Sequence, residues 1–182
     1  MNLTIRLPEK FSYDRETITN ALAFASLAHK GQKRKYDGKP YVSHPVAVSN
    51  ILMNFSTKPP TEEQVIAALL HDTVEDTSVT LTEIHLIFGK EVMTLVDYVS
   101  DISTPRDGNR AERKRIDADW YAQGPAESQS IKVADLIHNS VSIKKNDPDF
   151  WKVYRKEKQY LLEVLTLADQ QLVDTAYRQI KT

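Results

Sequence analysis

No cysteine occurs among the 182 residues. That excludes a disulfide framework, a thiolate zinc site, an iron–sulfur cluster and a cysteine nucleophile together. Glycine (5) and proline (8) are scarce, which leaves long stretches without a chain breaker. Excess charge of either sign is lacking as well: 24 Lys and Arg against 25 Asp and Glu leave a formal net charge of −1. A bulk basic surface for nucleic acid is not expected from that balance, although it is compatible with a local basic pocket. Long apolar runs are missing. The longest, Val65 to Leu70, is far too short to span a bilayer. Met1 to Pro8 show neither the basic start nor the apolar stretch of a secretory signal. What is present is a globular composition, 41% hydrophobic and 27% charged, unlike that of a disordered chain. The expectation is one cytoplasmic domain over residues 1–182, with no membrane and no nucleic-acid partner.

The dominant period is helical. Ile18, Leu22, Ala25 and His29 fall on one stripe and predict a helix over about 15–30. Lys30 to Pro40 carries two glycines and a proline and reads as a loop. Ser43 precedes His44-Pro45, and proline suits a first helical turn. Thr61 with Gln64, and Thr80 with Glu83, resemble capping boxes that open the next two helices. Residues 100–108 read as a loop with room for one short β-hairpin. Helices are predicted over about 109–122 and 127–141, the latter with Ile131, Ala134, Ile137, His138 and Val141 on one side. Asp147-Pro148 opens another that runs to about Leu167, and Asp169 starts the last. No alternating run is long enough for a core strand, so the fold class is all-α.

Chemistry concentrates at Leu70-His71-Asp72-Thr73-Val74-Glu75-Asp76-Thr77. On a continuing helix Glu75 lies one turn beyond His71, and Asp76 one turn beyond Asp72. Three carboxylates and an imidazole then crowd one spot, where like charges repel unless a cation or proton intervenes. Acids are also unfavourable at a helix C-terminus. Nitrogen and oxygen donors without thiolate suit a borderline-hard divalent ion. Two neighbours are too few for a tight site, so distant residues must help. His44 and Asp135 are the candidates. Asp135 stands inside an apolar helix, where a buried acid needs a partner, either a metal or a charge such as Lys132. The loop from Lys30 to Lys39 sets five cations against Asp37 alone, and further basic clusters lie at Arg106–Arg115 and Lys144–Lys158. A ring of that kind suits an anion with several phosphates.

His71-Asp72 with His44 upstream and Asp135 downstream resembles the His…His-Asp…Asp metal set of the HD phosphohydrolase superfamily. The closer resemblance is to the hydrolase domain of the bifunctional alarmone enzymes and to the stand-alone small alarmone hydrolases. It is carried, in family order over roughly residues 15–165, by several motifs. These are His29-Lys30-Gly31-Gln32-Lys33-Arg34-Lys35, Gly38-Lys39-Pro40-Tyr41-Val42-Ser43-His44-Pro45, the His71 to Thr77 segment, Phe88-Gly89, and Ile131-Lys132-Val133-Ala134-Asp135-Leu136-Ile137-His138-Asn139. The resemblance implies a single HD-domain helical bundle that removes the 3′-pyrophosphate of ppGpp or pppGpp, with one Mn²⁺. GDP or GTP and pyrophosphate are the products. It implies that His44, His71, Asp72 and Asp135 are metal ligands and that Glu75 and Asp76 are the catalytic acids. It implies that Arg34 and Lys35 pack on guanine and its phosphates, that Asn139 and Ser142 face the nucleoside, and that Arg155 binds substrate. His29, His85 and His138 are expected to be structural, with His29 nearest the site. Gln159 stands where the animal enzymes carry an aromatic residue, and Tyr160 follows one position, or about 100° of helix, later. Alternative substrates are an adenine alarmone or the 2′-phosphate of NADPH; a non-catalytic alarmone-binding module is the reading from another class.

Overall fold

The computed structural model describes residue 5 and residues 13–181. The reading of Met1 to Pro8 lies, except for Ile5, outside the described residues. The chain runs through α1 (Arg15–Ala28), α2 (Ser43–Phe55), α3 (Glu62–Leu70), α4 (Thr73–Asp76), α5 (Leu81–Asp97), α6 (Arg110–Tyr121), α7 (Ala126–Asn146), α8 (Pro148–Val164) and α9 (Gln170–Lys181). The all-α expectation holds, and no strand occurs among the described residues. The hairpin does not form at residues 100–108, which instead hold a 3-10 turn at Pro105–Asp107 capped by Thr104. Extended pairing is limited to one isolated bridge between Lys33 and Pro40, across the basic loop.

Local chemistry sets the helix starts. The Asp14, Asn109 and Asp147 side chains accept backbone N–H groups at the starts of α1, α6 and α8. Thr80 and Glu83 form a complete capping box for α5. At α3 the box is half made. Thr61 Oγ1 accepts the Gln64 N–H, but the buried Gln64 amide donates to Glu127 O of α7 at 3.0 Å. A side chain inside the protein is claimed by a tertiary acceptor before it can fold back on its own cap.

α3 is the central rod. Val65, Ile66, Ala67, Ala68, Leu69 and Leu70 are all buried, with α1, α2, α5 and α7 packed around them. Leu69→Ala there leaves a cavity and costs about 2–5 kcal/mol. The helix does not continue through His71 as the sequence suggests. It stops at Leu70, His71 and Asp72 form a turn, and α4 begins at Thr73. The buried Thr73 hydroxyl closes that turn by donating to Leu70 O at 2.7 Å. Other boundaries shift too: α7 runs to Asn146, and α8 stops at Val164, where Leu165 turns into the core. Val141 is 62% exposed, because the last turns of α7 run past the core. Ile87 is exposed, and α5 kinks two residues later at Gly89, whose φ of 89° interrupts the helical period.

Candidate active site

The first turn of α2, the turn between α3 and α4, and the middle of α7 deliver the four expected metal ligands to one place. His44 Nε2 stands 3.0 Å from Asp135 Oδ1 and 3.4 Å from Asp72 Oδ2. His71 Nε2 stands 3.1 Å from Asp72 Oδ1 and 4.0 Å from Asp135 Oδ1. Ligand atoms of His44, His71 and Asp72 all lie within 4.8 Å of one another. His71 Nδ1 is 2.9 Å from Ala68 O. A carbonyl only accepts, so Nδ1 carries the hydrogen, and in the neutral ring Nε2 keeps its lone pair. That Nε2 is buried and has no hydrogen-bond partner among the described residues. An orphaned acceptor facing two carboxylates is the environment a divalent cation completes, and the donor set fits one. Burial alone would raise the Asp135 carboxyl, but the hydrogen bond and charge of His44, with Lys132, hold it below the usual range.

The acid pair lies beside this set. Glu75 Oε2 accepts the Asp101 backbone N–H at 3.3 Å. Burial, then the charges of Asp101 and Asp72, raise Glu75 against the opposing pull of Lys132. Burial and Asp72 raise Asp76 as well. Both groups are therefore better proton holders than a solvated carboxyl. Tyr41, pushed up by burial and by Asp72, stays a phenol and donates to Asp72 Oδ2 at 2.8 Å.

These groups open onto a cavity of about 770 Å³ lined by His44, Asp72, Glu75, Asp76 and Asp135. Helices α6 and α8 form a second wall of the same cavity with Arg110, Lys114, Arg115, Lys152 and Lys156. Two of the basic clusters visible in the sequence thus meet across one space. Arg110 is held by both oxygens of Glu157 at 2.7 and 2.9 Å, and Lys114 by Asp101 Oδ2 at 2.5 Å. Arg115, over the Tyr160 ring at 5.9 Å, and Lys156 have no carboxylate partner among the described residues.

The residues expected to touch substrate divide. Asn139 lines the cavity and joins Arg34 to Asp135: Arg34 Nη2 donates to Asn139 Oδ1, and Asn139 Nδ2 donates to Asp135 Oδ1, both at 2.6 Å. Lys35 is exposed and paired with Asp147 at 3.3 Å. Ser142 Oγ donates to Asn139 O of its own helix, and Arg155 is exposed; neither lines the cavity. Gln159 is exposed and bonded to Glu163, whereas Tyr160 lines the cavity, so the aromatic side chain reaches it from the shifted position. Sequence reasoning missed Tyr41, Asp101 and Tyr121, and named Lys132 only as a charge partner for Asp135. Lys132 is half-buried, donates to Val99 O at 2.9 Å and lies 4.3 Å from the Tyr121 ring centre, while the Tyr121 hydroxyl donates to Asp101. A lysine inside an apolar stripe was the available signal for it. His138 is not a bystander: its Nδ1 is 2.7 Å from Nδ1 of His44. His29 is buried against the Tyr41 ring, and His85 is exposed.

The sequence matches the model of the HD domain over residues 21–159. The chain belongs to the HD-domain family. Among its HD-domain relatives is the guanosine-3′,5′-bis(diphosphate) 3′-pyrophosphohydrolase MESH1 of Xenopus tropicalis, 36% identical over 151 residues that cover 82% of each chain. The Homo sapiens protein of the same name is 35% identical over 145 residues, 79% of this chain and 78% of that one. An HD-domain structure described as a metazoan ortholog of SpoT that hydrolyses ppGpp superposes with a TM-score of 0.82 at 28% identity. It covers 94% of this chain and 97% of that one. No described helix is long and apolar enough to cross a membrane.

Proposed function

We propose that this HD-domain protein is a metal-dependent pyrophosphohydrolase that converts ppGpp or pppGpp to GDP or GTP plus pyrophosphate. The carrying observation is the two-walled cavity, with a cation-ready His and Asp set and two raised acids opposite exposed basic side chains. A nucleotide with phosphate groups on both 3′ and 5′ oxygens suits that division. Its 3′-diphosphate approaches the acidic wall, where a cation offsets the repulsion. Its 5′-phosphates approach α6 and α8, where Arg115 and Lys156 supply charge.

His44, His71, Asp72 and Asp135 hold a divalent ion, Mn²⁺ in this reading. When bound it supplies charge neutralisation, a more acidic water and polarisation of a phosphoryl oxygen. The chain's own groups do the rest. Tyr41, Asn139 and Ala68 O fix the orientation of Asp72, Asp135 and His71 through the hydrogen bonds described. One carboxylate of the Glu75–Asp76 pair orients water and takes its proton as the oxygen bonds to the phosphorus nearest the ribose. The P–O3′ bond breaks and pyrophosphate leaves as a unit. The protonated carboxyl of the pair returns a proton to the ribose 3′-oxygen, so the pair ends with the number of protons it began with. The raised affinity of both acids for a proton serves both transfers. Lys132 opposes that rise at Glu75 through its charge.

The test is incubation of metal-stripped protein with guanosine tetraphosphate, with and without Mn²⁺, followed by anion-exchange separation of the nucleotides. GDP that forms only with metal is the expected result. A folded, metal-loaded protein that yields no GDP overturns the proposal; conversion of an adenine alarmone or NADPH under the same conditions then reassigns the substrate.

A further inference from the structure

The two metal-facing histidines are held from behind in different ways. His71 gives its Nδ1 hydrogen to a backbone carbonyl, Ala68 O, which has no proton of its own to offer. His44 meets another imidazole instead. Its Nδ1 is 2.7 Å from Nδ1 of His138, the ring centres are 4.9 Å apart and the planes differ by 25°. So short a nitrogen–nitrogen distance with centres so far apart means that the rings meet edge to edge, nitrogen pointing at nitrogen. Only one hydrogen fits between them.

The opposite nitrogen of His44 decides where that hydrogen sits. His44 Nε2 faces Asp135 and Asp72, the carboxylates of the candidate cation site. To donate an electron pair to a cation, a neutral imidazole must carry its hydrogen on the other nitrogen. We propose that His138 is the positioning residue of the metal site: its Nδ1 accepts the hydrogen of His44 Nδ1 and so keeps the His44 Nε2 lone pair directed at the cation. His138 then carries its own hydrogen on Nε2.

α7 is built for this double role. His138 follows Asp135 by three residues, so both fall on one face of the helix. Asp135 stands in front of His44 and His138 behind it. One helix therefore holds the ring of a residue from another helix at both of its nitrogens. Ring orientation is fixed before any ion arrives, which lowers the ordering cost of binding. The inference rests on the metal-ligand reading above but not on the identity of the substrate.

The experiment titrates metal-stripped protein with Zn²⁺ by calorimetry. His138→Leu, which keeps bulk and removes the acceptor, weakens binding by about 10–100-fold. His138→Gln, whose amide oxygen accepts, stays near wild type. Far-UV circular dichroism and the melting temperature of the metal-free forms match across all three. Leu and wild-type proteins that bind Zn²⁺ equally, or a Gln variant as weak as Leu, overturn the inference. Nitrogen-15 spectra of the Zn²⁺-loaded wild type give an answer independent of how the variants fold. They are expected to show hydrogen on His44 Nδ1 and none on His138 Nδ1, and the reverse sinks the idea. A wild type that takes up no Zn²⁺ removes the metal-ligand reading as well. Equal binding by Leu and wild type removes this inference alone and leaves the proposed hydrolysis standing.

Discussion

The acidic and basic walls of the cavity are built on different principles. On the acidic wall His44 and His71 are each 1% exposed, and each polar group is held by another: Tyr41 on Asp72, Asn139 on Asp135, Ala68 O on His71. On the basic wall Arg110, Arg115, Lys152 and Lys156 are exposed side chains on α6 and α8. The first arrangement fixes geometry to fractions of an ångström, as bond making requires. The second supplies charge with freedom to adapt, which suits a flexible polyphosphate. The walls touch through Lys114 and Asp101, whose backbone N–H holds Glu75.

The contrast predicts a hierarchy of effects. His71→Ala or Asp72→Asn is the largest: bound metal and turnover vanish together, by about a thousandfold or more in rate. Elemental analysis alongside the GDP assay checks it, and a variant that loses metal yet turns over breaks the comparison at its root. Glu75→Gln keeps its metal and loses about 10²–10⁴-fold in rate. Unchanged turnover in that variant removes Glu75 from the chemistry. Arg115→Ala with Lys156→Ala acts mainly on KM, raising it several-fold at low ionic strength and less above about 0.1 M salt, where exposed charges are screened. If this pair instead lowers kcat as far as Glu75→Gln does, the two walls do not differ in kind.

The smallest effect belongs to Lys158, a fully buried lysine whose Nζ donates to Ser140 Oγ at 2.7 Å and Gln179 Oε1 at 2.6 Å. Burial pulls its amine down to about 7, partly opposed by Asp135. In the unfolded chain the same group titrates near 10.4. Between those values the unfolded chain binds more protons, so Lys158 penalises folding least at high pH. The melting temperature of wild type therefore gains on that of Lys158→Met as pH rises from about 7 toward 10. A difference that stays constant over that range shows that Lys158 is not neutralised by folding.

The fold was legible because helix-forming periodicity and scarce breakers act locally. Thr80 with Glu83 announced its cap in sequence and formed it. The break at His71 was not legible: the two turn residues keep near-helical dihedral angles, φ −55° and ψ −35° at His71, φ −94° and ψ −5° at Asp72. Neither residue is a glycine or proline that would flag it. In the site, His71 and Asp72 stood out because they adjoin. His44 and Asp135 could be named from the sequence only as candidates, since 27 and 63 residues separate them from His71 and Asp72 and only packing brings them together. His138 read as structural because no local pattern marks a histidine whose ring meets that of another 94 residues away. The meeting of the α6 and α8 cations is likewise a property of packing.

α7 also carries a rule about change. Lys132, Asp135, His138 and Asn139 occupy one uninterrupted helix, so their separations are counted in helical rise, about 10 Å from first to last. A substitution at any of them changes one group. A single residue inserted or deleted between them would turn everything downstream by about 100° and dissolve the alignment. In descendants of this chain the segment from Lys132 to Asn139 must therefore keep its length for as long as the activity persists.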